Sequence, residues 1–125
     1  MSLVITGLTE VAGDFAAAAA RLEVNAVTAV AVTARKVQQD ARERIRGHKY
    51  LPRYPTSISY DVRRTVEGVE AEIGPDKGRA QGALGNILEF GTVKNGPLPH
   101  LGPALEANAD DAERGIETAV LQALR

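Results

Sequence analysis

Histidine, the side-chain type that most often carries acid–base chemistry and metal ligation, occurs twice in this 125-residue sequence, as His48 and His100. They stand 52 residues apart, each beside prolines in segments that read as loops, and neither belongs to a helix-spaced ligand pair. Both are expected to be structural or surface side chains, with no bound metal. There is no Cys, which excludes disulfides, thiolate metal sites and a cysteine nucleophile. Glu89 is the carboxylate to consider for acid–base work, and with His100 it would define a small hydrolase or lyase. It has no second acid or histidine near it in sequence, so a salt bridge or a backbone cap is its expected role. The chain is therefore read as a non-enzyme that needs no cofactor.

Two further stretches invite a binding role. Gly74 to Gly85 holds four glycines in twelve residues, but it lacks the Gly-Lys-Ser/Thr ending of a nucleotide loop and the dinucleotide spacing, so it reads as a mobile loop that orders on assembly. Arg35 to Arg64 carries nine Lys or Arg against three acids, in a chain of net charge −1. Its candidate DNA-facing or inter-subunit cations are Arg42, Arg44, Arg46, Lys49 and Arg53, with Tyr50 and Tyr54 interleaved for stacking on bases. No recognised nucleic-acid module is spelled there, so any DNA contact is expected to be non-specific.

These residues must be held by a thin core. Twenty residues are Ala, two are Phe, three are Tyr and none is Trp, so each ordered residue buries little apolar area. The length fits one domain, and the shortage of bulk points to a partner surface. The longest uncharged stretch in the first helical region, Val24 to Ala34, is shorter than the ~18 residues a membrane span needs, and no basic segment followed by an apolar run marks a secretory signal. No membrane partner is expected.

The expected architecture is α+β: a long N-terminal helix, a small antiparallel sheet of three to four strands and a C-terminal amphipathic helix. The first helix spans residues 8–46, with Asp14 as a possible cap for a start at Phe15. Leu22, Ala26, Ala29, Thr33, Val37, Ala41 and Ile45 make its apolar stripe, and Gly47 ends it. Pro52 and Pro55 then forbid a continuing helix. Alternation of Ile58, Tyr60 and Val62 with polar residues, and of Val69, Ala71 and Ile73 with Glu70 and Glu72, predicts a hairpin over 56–74 with Arg63 facing the two glutamates. Ile87 to Thr92 reads as a third strand or the end of a helical turn. A helix over 103–124 starts at Pro103, with Leu105, Ala109, Ala112, Ile116, Ala119 and Ala123 on one side and Gly115 weakening it by about 1 kcal/mol.

From Val24 onward, the order of motifs resembles the small tail-component, or head–tail connector, family of long-tailed double-stranded DNA bacteriophages. The residues that carry the resemblance are Tyr54-Pro-Thr-Ser-Ile58, Ile73-Gly-Pro-Asp-Lys77, Glu89-Phe90-Gly91-Thr92 and Pro99-His100-Leu101-Gly102-Pro103-Ala104-Leu105. The chain has His100 where that family commonly has Phe. The resemblance implies a virion structural protein of the neck or tail top, assembled in the host cytoplasm as a homo-oligomeric, sixfold ring around the DNA channel. Connector, tail-terminator or tail-tube proteins are its implied neighbours. In that picture the Ala26, Ala29 and Ala41 face of the long helix is expected to be covered by the next subunit, and the two loops to order on assembly.

Overall fold

Alternating side chains and long amphipathic stretches fold here into two layers. In the computed structural model, which describes residues 2–5, 16–66, 68–92 and 96–124, strands β1 (Ser2–Ile5), β2 (Ile58–Thr65) and β3 (Gly68–Pro75) form one antiparallel sheet in the order β1-β3-β2. The predicted hairpin is present with Tyr60 opposite Ile73 and Val62 opposite Ala71. β3 is the central strand, so Val69, Ala71 and Ile73 are all buried, whereas β2 fully buries only Ile58. On the outer face Arg63 bridges Glu70 at 3.2 Å and Glu72 at 2.6 Å, the cross-strand pairing that the alternation predicts.

Helix α1 (Ala16–Ile45) packs on the covered face of this sheet, and helix α4 (Leu101–Ala123) runs antiparallel beside it. The antiparallel register is read from cross-links: Arg21 donates to Ala123 O at 3.0 Å, Asn25 to Ala119 O at 3.4 Å and Asn108 to Asp40 Oδ2 at 3.0 Å. Small residues allow close approach, and a Cβ added to Gly115 would stand 4.0 Å from the Ala29 Cβ. Gly47 ends α1 at φ +84°, a conformation glycine takes without strain. By length and composition Ala17–Ile45 could cross a bilayer, a condition that the core helix of a soluble protein also meets. Here its buried face is the one packed on the sheet and α4.

Several expectations need correction. Ala26 and Ala41 are already buried within one chain, because α4 and the sheet cover the alanine stripe that was assigned to a neighbouring subunit; Ala29 is half-buried against α4. Of the two readings of Ile87 to Thr92, the helical turn is the one present and the strand is not. The segment belongs mostly to helix α3 (Gly85–Phe90), which turns Leu88 and Glu89 inward and leaves Ile87 and Phe90 outward, a division that period two does not produce. The third strand is instead Ser2–Ile5, which pairs with Val69 to Glu72 and carried no assignment from sequence. A helical turn, α2 (Tyr54–Ser57), precedes the hairpin. Helix α4 starts at Leu101, with Pro103 inside its first turn, where a missing N–H still costs nothing. The expected start of the long helix at Leu8 and the Asp14 cap lie outside the described residues.

The glycine-rich stretch is hydrogen-bonded into turns within the single chain. Asp76 N donates to Ser57 O at 2.8 Å, Arg79 N to Asp76 O at 3.0 Å and Gly82 N to Arg79 O at 3.1 Å. A short 3-10 turn, Gly82–Leu84, then leads into α3. Glycine is needed there for close approach: a Cβ on Gly82 would lie 1.8 Å from Asp76 O, and one on Gly85 would lie 2.3 Å from Pro75 Cγ.

Candidate functional site

The motif residues from the two ends of 89–103 meet at the start of α4. A helix begins with N–H groups that have no intrahelical partner, and a carboxylate placed there satisfies them with favourable charge. Glu89, on α3, supplies it: its Oε1 accepts from His100 N at 3.1 Å and from Leu101 N at 2.7 Å. The backbone-cap role expected for Glu89 is what the structure shows. Leu98 N donates to Leu88 O at 2.6 Å, which ties the chain before α4 to α3 a second time.

His100 sits between this cap and the loop before the hairpin. Its Nδ1 lies 2.9 Å from Leu98 O and 3.4 Å from Glu89 Oε1, both acceptors, so the proton belongs on Nδ1. Nε2 is then free to accept from the Tyr54 hydroxyl, 2.7 Å away. The two rings meet edge to face, with centroids 5.2 Å apart. Burial, with the Glu89 carboxylate nearby, pushes the Tyr54 hydroxyl up to about 12, so it stays a donor across the ordinary pH range. A tyrosine, a histidine and a carboxylate in line have the composition of a proton relay, but Tyr54 and His100 are both wholly inaccessible to solvent. With no opening to a reacting group, the arrangement works as a brace that pins α2, α3 and α4 together.

What the brace presents outward is apolar. Leu84, Ile87 and Phe90 recur every third residue on the side of α3 away from the core, and Phe90 is 77% exposed and Ile87 49%. Leu88, on the other side, packs against the core. Gly91 ends α3 at φ +77°, and Thr92 and Pro99 are exposed beyond it. Leu101 packs on the core and Pro103 is half-buried. The Glu89 to Pro103 set thus divides into an inner group that fixes the helix (Glu89, His100, Leu101) and an outer residue, Phe90, that is displayed.

The basic candidates do not form one cluster. Arg42 donates twice to Ile58 O, at 2.7 and 3.2 Å, joining α1 to the start of β2. Arg44 pairs with Asp40 at 2.8 Å and Arg46 with Glu43 at 2.7 Å. Lys49 lies over the Tyr50 ring, 4.8 Å from its centroid. Elsewhere in the stretch, Lys36 reaches Asp111, Arg63 reaches Glu70 and Glu72, and Arg64 reaches Glu23. Lys49 and Arg53 are the two of the five candidates that make no ion pair or side-chain hydrogen bond among the described residues.

Sequence reasoning missed Tyr54 as the partner of His100, because nothing in a 46-residue separation announces contact. It also missed Leu84 and Ile87, whose spacing with Phe90 is a signal only when the segment is read at helical period. Gln81 was missed too: its side chain accepts from Arg53 N at 2.8 Å and donates to Tyr50 O at 3.1 Å, fastening the basic loop to the turn before α3. Among the described residues no group of three His, Cys, Asp or Glu is placed to hold a metal ion. Comparison with family models, curated proteins and solved structures gives no match for this chain.

Proposed function

We propose that this chain is a non-enzymatic structural subunit of the neck or tail top of a long-tailed bacteriophage, which joins or completes the head–tail connection as a ring around the DNA channel. Its partners in this reading are copies of itself and connector, tail-terminator or tail-tube proteins. The observation that carries the reading is the fixed, outward apolar face of α3. It comes from the same Glu89-Phe90-Gly91-Thr92 motif that carries the family resemblance, and it is rigidly backed by the Glu89–His100–Tyr54 brace. An exposed phenyl group on a short helix is a cost in solution and an asset in an interface. Deletion of the coding sequence from the phage genome that carries it is expected to leave filled heads and separate tails, which the purified chain then joins. Normal virions formed without the chain would overturn the reading.

A further inference from the structure

A second apolar feature lies on another part of the molecule. Between α4 and β3 is a groove of about 340 Å³ lined by Ile73, Ala71, Leu105, Ala109 and Ile116, with Val37 of α1 at its floor. Its size suits one or two large side chains, and burial of an aromatic one is a large favourable term. On its α4 side Glu113 lines it, with Glu106 and Glu117 at helical steps of seven and four from Glu113; all three are exposed and make no ion pair among the described residues. The α3 ridge has the opposite surroundings. Lys49 and Arg53, without carboxylate partners, sit on the loop that Gln81 fastens to the start of the ridge, and Lys77 stands in the turn against which Gly82 packs. One chain thus carries both an apolar ridge with basic surroundings and an apolar groove with an acidic side.

Resting on the ring reading, we propose that copies of this chain join head to tail, with Ile87 and Phe90 of one copy seated in the groove between α4 and β3 of the next. The ridge and the groove are different surfaces, so each copy keeps one of each free and the contact propagates until a ring closes. Ring closure gives every subunit two contacts and forms the last of them intramolecularly, which lets a small interface hold. Charge complementarity sets the direction, since ridge against ridge would bring cations together and groove against groove would bring acids together.

The test uses the full chain and two variants at exposed positions, Phe90→Ser for the ridge and Ala109→Arg for the groove, followed by sedimentation velocity over a concentration series. Wild type is expected to associate beyond a dimer, and each variant alone to weaken association by more than about tenfold. An equal mixture of the two is expected to form one-to-one dimers and nothing longer, because the single intact ridge meets the single intact groove. Glu113→Lys is expected to weaken association, and Arg53→Glu in the same chain to restore part of it. A wild-type chain that stays monomeric at the highest attainable concentration, a variant that associates as wild type does, or a mixture that stays monomeric overturns the proposal. Failure here with the chain still required for joined virions leaves the neck assignment standing. Head-to-tail association by a chain that virions do not need removes the neck assignment alone.

Discussion

Tyr54 and His100 stabilise the fold through a hydrogen bond that neither can replace with water. Tyr54→Phe leaves His100 Nε2 buried without a donor and is expected to cost about 1–3 kcal/mol in urea unfolding at neutral pH. The same residue makes stability depend on alkaline pH. Its proton is held more tightly in the folded chain, so the contribution is complete below pH 10 and is lost as pH rises from 10 toward about 12. That loss amounts to about 2–3 kcal/mol. The comparison of wild type with Tyr54→Phe at pH 9 and pH 11 isolates it from the other tyrosines, and the difference between the two proteins is expected to shrink at the higher pH. Glu89 shows what was legible at this scale. Its isolation from other acids in sequence argues for a salt bridge or a backbone cap, and the cap is what forms, whereas Tyr54 carries no mark of its partner because the fold alone brings them together.

Helix α4 lies against α1 through small side chains, and at Gly115 the interface has room for a methyl group. A methyl group added there reaches ordinary contact distance from the Ala29 Cβ and removes the conformational freedom of a mid-helix glycine. Gly115→Ala is therefore expected to raise stability by about 1 kcal/mol, read as a higher urea midpoint with an unchanged slope. The elements themselves were legible where a periodic pattern was long: α1, α4 and the β2–β3 hairpin follow from repeated steps of three to four or of two. Short elements were not. Six residues of α3 hold less than two helical turns, too few to separate period two from period 3.6, and β1 has four residues with no alternation to read. The glycines of 74–85 are ambiguous for a related reason: composition does not distinguish freedom from close packing, and at Gly82 and Gly85 backbone and ring atoms come too close for any side chain.

At the scale of the whole molecule, the uneven charge of the sequence is folded largely against itself. Each exposed pair contributes only about 0–1 kcal/mol to stability, so the effect falls on the external field rather than on the fold. A duplex that meets the 35–64 segment finds few uncommitted cations among the candidates, chiefly Lys49 and Arg53. Any DNA affinity is accordingly expected to fall with salt at a slope of about −2 or shallower on logarithmic axes, at roughly −0.9 per phosphate contact. A slope near −5, removed by replacing Arg42, Arg44 and Arg46, would show those residues leaving their partners for phosphate.

The strand order β1-β3-β2 also sets a timetable. Ser2 pairs with Glu72, so β1 has no partner until seventy more residues have been made. On a ribosome that adds about 5–20 residues per second, this strand waits several seconds or more while the hairpin that will receive it is still being synthesised. The hairpin closes through a short turn and needs no such wait. Sheet completion thus waits for β3, and until β1 docks, the side of β3 that β1 covers in the finished sheet stands as an unpaired edge.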